Sequence, residues 1–260
     1  RRSLYRDRPG GAPRTGGTGV IQWVRSAIFV FQLYFAMLVL GIVFLPWALF
    51  SSRGARMACK SFCVWTRFTA RWMVGLRTEL RGPVPQGEVL IAAKHQSFLD
   101  IILIFGAVPA GKFIMKHELL YTPVIGQYAR RIGCVPVARG KRGAAIARML
   151  SDVKKGAAEP GQLIIYPQGT RVAPGVKQGY KVGAALLYEQ TGQPCVPAAT
   201  NVGLFWPRKG ILRKPGLAVV EFLPAIEPGL GRETLLIRLE TEIEAASNAL
   251  MREAGFEPEE

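Results

Sequence analysis

One short segment brings together the two residue types that a proton relay needs. His95 and Asp100 stand in Lys94-His95-Gln96-Ser97-Phe98-Leu99-Asp100, directly after an apolar run that ends at Ala93. Within one continuous helix, residues five apart are about 140° apart around the axis and do not face each other. If His95 precedes a helix and Asp100 lies in its first turns, the two side chains meet. A carboxylate on one imidazole nitrogen fixes the tautomer and stabilises the imidazolium that forms when the other nitrogen takes a proton. Such a pair deprotonates a hydroxyl nucleophile. The only other histidine is His117, expected to be structural or exposed. The same segment has a second reading. Ser97 and Asp100 match the S-x-x-D spacing of a helix capping box, in which Asp100 would only cap. Spacing alone leaves both readings open.

A second motif favours the dyad. Ile165-Tyr166-Pro167-Gln168-Gly169-Thr170-Arg171 ends another apolar run, and the carboxyl ends of adjacent parallel strands are where α/β domains place their sites. Gly169 permits close backbone approach, Thr170 offers a hydroxyl, and Arg171 can grip a phosphate with two parallel hydrogen bonds.

These segments resemble the glycerolipid acyltransferases. His95 to Asp100 matches their H-x-x-x-x-D motif, and Pro167 to Arg171 resembles their P-E-G-T-R motif. Lys112-Phe113-Ile114-Met115-Lys116, followed by Leu119-Leu120, Pro123 and Gly126, is similar to the stretch between the motifs. Gly133 to Arg139 resembles the block that ends in a substrate-binding arginine, and Val196-Pro197 the late V-P motif. The resemblance covers residues 75–225 and points in particular to the bacterial 1-acyl-glycerol-3-phosphate acyltransferases. It implies transfer of a fatty acyl group from acyl-CoA or acyl carrier protein to the sn-2 hydroxyl of lysophosphatidate, with His95 and Asp100 catalytic. It implies Arg139, Gln168, Gly169, Thr170, Arg171 and Lys116 as acceptor-binding residues, with no metal and no cofactor beyond the donor thioester. Gln168 departs from the motif, which usually has glutamate there. Glutamine keeps the shape and a hydrogen-bonding oxygen but not the charge, so position 168 is expected to bind glycerol or phosphate rather than to act as acid or base. The departure leaves another lysolipid, such as lyso-ornithine lipid, as an alternative acceptor.

Around these motifs the pattern alternates. Strands are expected at 89–93, 112–115, 134–138, 162–166, 195–200 and 218–222, and helices at 97–106, 123–132, 141–157, 181–190 and 232–253. Alternating strands and helices predict an α/β domain with a mostly parallel sheet flanked by helices, over residues 78–260. Ahead of it, 1–19 reads as a flexible basic tail rich in glycine and arginine, and 20–77 as membrane-anchoring helices. No charge interrupts 26–52, long enough for the roughly 20 apolar residues of a bilayer-spanning helix. A signal peptide has a shorter apolar core of about 7–15 residues and a small-residue cleavage site, which is missing here. From 53 to 76, Arg53, Arg56, Lys60, Arg67 and Arg71 fall on one helical stripe, with Phe62, Trp65, Phe68, Trp72 and Met73 largely off it. That is the pattern of a helix lying in a membrane interface. Both flanks of the uncharged run are basic, so a re-entrant hairpin broken near Pro46 and Ser51-Ser52 suits the positive-inside tendency better than a single span. It would put the α/β domain on the cytoplasmic side of the inner membrane.

Composition agrees with these readings. Of 260 residues 49% are hydrophobic, yet 34 Lys and Arg stand against 18 Asp and Glu, a net charge of +16. A greasy, cationic chain fits an anionic membrane surface better than nucleic acid, which needs the charge and not the grease. The four cysteines form no C-x-x-C pair and no disulfide framework. Ser97 and Cys134 are weaker candidates as nucleophiles. A lipid hydrolase would need a G-x-S-x-G elbow, which is missing. A non-catalytic protein binding anionic membranes would leave His95 and Asp100 apart.

Overall fold

The computed structural model describes residues 19–137, 151 and 160–258. The tail before Gly19, Arg139 and nearly all of the helix expected at 141–157 lie outside the described residues. Seven strands are described: β1 (Leu76–Arg81), β2 (Val89–Ala93), β3 (Lys112–Lys116), β4 (Val135–Val137), β5 (Gln162–Ile165), β6 (Cys195–Thr200) and β7 (Gly216–Phe222). They form one sheet in the order β1-β7-β6-β2-β5-β3-β4, and every neighbouring pair is parallel except β6 with β7.

Alternation along the strands sorts the core into two layers, because successive side chains point to opposite faces. Ile91, Ala93, Ile164, Val196 and Ala198 pack with α4 (Leu99–Ala107) and the N-terminal helices. The short α5 (Ile125–Arg131) lies between β3 and β4 in the chain, and Leu90, Ala92, Leu163, Ile165 and Cys195 pack with α6 (Gly183–Thr191) and α7 (Arg232–Glu253). Each central strand is apolar on both faces, as a sheet covered by helices on both sides requires.

The N-terminal segment folds as α1 (Gly19–Val43), α2 (Leu45–Phe50) and α3 (Ser52–Val74). Pro46 lies in the first turn of α2, where its missing N–H costs little. Ser51 caps α3 by accepting from the Arg53 N–H at 3.2 Å. The expected break therefore falls where the sequence put it. α1 runs antiparallel to α3. The Gln22 amide donates to the Val74 carbonyl at 3.1 Å, and Gln32 bonds Thr69 at 3.1 Å and Trp65 at 2.8 Å. Gln32, the one polar break in the apolar run, thus ties the hairpin together. With 25 residues α1 is about 37 Å long, enough by length and composition to cross a membrane. Most of its surface is apolar and exposed, including Phe31, Phe35, Leu38 and Ile42, as are Trp65, Phe68 and Trp72 on α3.

Gly75 ends α3 in the left-handed region at φ 72, and its N–H bonds the Ala70 carbonyl. β1 begins one residue later. The sequence reading missed this strand and ran the helical segment to 77. β1 lies at the sheet edge and pairs only with β7, so it carries the charged residues usual on an edge and lacks an apolar run.

The hairpin is fastened to the α/β domain by its buried face. Phe29 is fully buried, edge-on to Trp206 at 5.5 Å, and Ser26 accepts from the Arg213 N–H at 2.9 Å. Arg213 lies over the Trp206 ring at 4.5 Å, and burial pushes its guanidinium down to about 10. Phe29→Ala is expected to lower stability by about 3–5 kcal/mol, as emptied aromatic core sites do. Thermal unfolding in detergent measures it, and an unchanged melting temperature would show that the hairpin is not fastened there.

Candidate active site

β2 carries Lys94 and His95 out of the sheet, and the strand alternation continues through them. Lys94 turns toward α7, where its ammonium pairs with Glu244. His95 turns to the opposite face, above α4. The chain then bends through Ser97 and Phe98 and enters α4 at Leu99. This bend closes the five-residue gap. His95 Nδ1 lies 2.9 Å from Asp100 Oδ1.

Asp100 also caps. Its Oδ2 accepts from the backbone N–H groups of Gln96 at 2.8 Å and Ser97 at 2.7 Å. Ser97 Oγ accepts from the Leu99 N–H at 3.2 Å, and the wholly buried serine serves the turn. The contacts behind the two readings left open by the spacing coexist, one at each carboxylate oxygen. The carboxylate is wholly buried, in the first turn of α4, where negative charge is favoured by the helix dipole. An ionised carboxylate has only acceptors to offer, so Nδ1 carries the proton and donates it to Oδ1, leaving the Nε2 lone pair as the basic site. The His95 side chain is 13% exposed, enough to meet a substrate.

The second motif lies against the first. β5 pairs with β2 through Ile165 and Ala92, so Tyr166 emerges beside His95. Their rings stack with centroids 3.9 Å apart and 18° between planes. Phe113 also stacks with Tyr166, at 6.3 Å. Burial, and then the nearby Asp100 carboxylate, hold the Tyr166 phenol well above its usual range. Beyond it the loop turns tightly, with the Gly169 N–H donating to the Tyr166 carbonyl at 2.8 Å. The Val172 N–H then donates to the His95 carbonyl at 2.8 Å. Gly169 has φ 69, in the left-handed region that favours glycine. Thr170 and Arg171 are half-buried on the same loop. Lys116 is exposed at the end of β3.

Gln168 does not sit with them. Its side chain is 1% exposed, and its amide nitrogen faces the Gln178 carbonyl and Glu244 Oε1, both at 3.5 Å. The expected contact with glycerol or phosphate is corrected by this placement, because the side chain is directed into the interior toward α7.

Sequence reasoning also missed Tyr166 as the platform of the histidine, and Gln96, whose side-chain oxygen accepts from the Gly203 N–H at 2.9 Å. The signal for Tyr166 was its place between the strand and Pro167. Cys134 is no nucleophile. Burial pushes its thiol up to about 11, and its sulfur accepts from the Phe113 N–H at 3.4 Å. Near neutral pH such a thiol stays protonated. Iodoacetamide at that pH is expected to leave activity intact, whereas rapid inactivation protected by substrate would point to a cysteine at the reacting atoms.

Among the described residues no group of three or more His, Cys, Asp or Glu could hold a metal ion. The site offers instead a buried carboxylate, an oriented imidazole and a loop with a half-buried arginine. That set suits proton abstraction from a hydroxyl beside an anionic group. The family model described as acyltransferase matches residues 76–201, which include both motifs. That stretch belongs to the acyltransferase family. This acyltransferase is 27% identical over 215 residues to the 1-acyl-sn-glycerol-3-phosphate acyltransferase of Pseudomonas aeruginosa, covering 79% of the chain and 82% of that relative. It is 30% identical over 158 residues to the chloroplastic 1-acyl-sn-glycerol-3-phosphate acyltransferase BAT2 of Brassica napus, spanning 45% of that longer protein. The crystal structure of the 1-acyl-sn-glycerophosphate acyltransferase PlsC from Thermotoga maritima shares the fold of the acyltransferase. It superposes with a TM-score of 0.74 at 20% identity, over 88% of this chain and 97% of that one.

Proposed function

We propose that the enzyme moves a fatty acyl group from acyl-CoA or acyl carrier protein to the sn-2 hydroxyl of lysophosphatidate, giving phosphatidate. The observation that carries this reading is the contact of Asp100 with His95 Nδ1, which leaves Nε2 free to take a proton beside the loop that bears Arg171. The names of the relatives support the acceptor.

His95 Nε2 takes the proton of the lysolipid hydroxyl as its oxygen bonds the thioester carbonyl carbon. Asp100 stabilises the imidazolium. The tetrahedral oxyanion collapses, the C–S bond breaks, and the thiolate leaves and takes up a proton from His95 or solvent. The N–H groups of Gly169 and Val172 are already committed to carbonyls, so Thr170 and Arg171 are the loop's N–H donors for the oxyanion. Arg171 holds the acceptor phosphate, together with Thr170, Lys116 and Arg139. No acyl-enzyme is needed. The exposed apolar face of α1 and α3 seats in the cytoplasmic leaflet of the inner membrane, where the acceptor resides. The net charge of +16 draws the anionic donor from solution.

A panel of lysolipids offered with one labelled acyl-CoA, and then with the matching acyl carrier protein, tests the acceptor and the donor. Lysophosphatidate is expected to be turned over fastest. Arg171→Ala is expected to raise its KM about 10- to 100-fold, as loss of a charged hydrogen bond does. Equal turnover of lyso-ornithine lipid, or an unchanged KM in the arginine variant, would displace lysophosphatidate as acceptor.

A further inference from the structure

Behind the dyad lies a second group of charges that the acyl transfer above does not use. Lys94 precedes His95 directly, and its side chain is 2% exposed. A lysine so buried needs a counter-charge, and α7 supplies one in Glu244, which is 28% exposed. Glu244 has two further partners. Its Oε1 accepts from the Tyr180 hydroxyl at 3.1 Å and faces the Gln168 amide nitrogen at 3.5 Å. Three separate stretches therefore converge on one carboxylate: the end of β2, the loop after β5, and the approach to α6.

The neighbours of position 168 also explain its side chain. They are a backbone carbonyl and a carboxylate, both acceptors. The amide nitrogen of glutamine is a donor that both can accept, while its buried oxygen has no hydrogen-bond partner among the described residues. An ionised glutamate at 168 would set two carboxylates side by side against a single lysine.

We infer that Glu244 is a positioning residue of this site, supplying from α7 the negative charge that position 168 lacks and locking Lys94 and the 166–172 loop so that His95 meets substrate in register. The inference rests on His95 being the proton acceptor. The coupling runs through short covalent and hydrogen-bonded steps. Lys94 adjoins His95, and the loop that holds Gln168 returns its Val172 N–H to the His95 carbonyl. Tyr180 reports the same charge, since burial and then Glu244 raise its phenol.

The test is a reciprocal cycle on the full chain in detergent: Gln168→Glu, Glu244→Gln and the double variant, each assayed for kcat, KM for lysophosphatidate, and melting temperature. Each single variant is expected to lose about 10-fold or more in kcat with KM within about 3-fold, and the double to return to within about 3-fold of the parent. Glu240→Gln is the control. Glu240 lines the same cavity of about 420 Å³ as Lys94 and Glu244, and its removal should leave kcat unchanged. Parental kcat in Gln168→Glu, a double variant no better than the worse single, or an equal loss in Glu240→Gln would each overturn the inference. If Gln168→Glu does not fold, recovery of folding in the double supports it and continued failure overturns it. If the parent acylates no lysolipid, the catalytic reading fails, and the melting temperatures still decide whether 168 and 244 exchange one charge.

Discussion

Replacement of His95 by alanine is expected to lower kcat for acyl transfer by about 10²–10⁴-fold, the range that a positioned general base contributes. The loss should appear in kcat more than in KM, because the imidazole touches the transferred proton and holds no remote part of the substrate. Alanine has a side effect to be separated out. It leaves Asp100 Oδ1 buried without its partner, at a stability cost of about 1–3 kcal/mol. His95→Gln provides the separation. A glutamine amide can donate to Asp100 as Nδ1 does but has no basic nitrogen. It should therefore melt closer to the parent than the alanine variant and be equally inactive. The released thiol gives a continuous assay. A folded His95→Gln enzyme that turns over at the parental rate would remove the imidazole from the chemistry.

How much of this was legible beforehand depended on whether the signal was local. The strand at 89–93, the strand at 195–200 and the helix at 232–253 agree with the sequence reading to the residue, because each has a clean apolar period between turn residues. β1 escaped because an edge strand shows no such period. The dyad was half legible. Five-residue spacing permitted the contact but could not exclude a cap, and the contact depends on a bend at Ser97 and Phe98 that no periodicity encodes. Gln168 was visible as a departure, yet its reason stands 76 residues away at Glu244. A partner on a distant helix leaves no trace beside the motif. Lys94 did leave one, a charge closing a wholly apolar strand, which marks either a strand end at the surface or a buried ion pair.

The second large effect is expected at Asp100, and the cap dictates its form. In Asp100→Asn one end of the amide must face the two N–H groups of Gln96 and Ser97, which Oδ2 now accepts at 2.8 and 2.7 Å. Those donors demand an oxygen, so the amide nitrogen is forced toward His95 Nδ1. An N–H donor at Nδ1 requires a lone pair there, and the ring's proton moves to Nε2. The variant therefore keeps its helix cap and its fold but holds the imidazole in the tautomer that cannot accept the substrate proton. A fall of about 10³–10⁴-fold in kcat follows, the scale known for wrong-tautomer substitutions in a triad, with melting temperature close to the parent. Asp100→Ala should do otherwise, losing the cap as well and melting lower by about 1–2 kcal/mol or more. The ¹⁵N shifts of the His95 ring identify the tautomer directly, with a protonated Nδ1 in the parent and a protonated Nε2 in the asparagine variant. An asparagine enzyme with parental kcat, or with the parental tautomer and lost activity, would show that the carboxylate serves the helix and not the histidine.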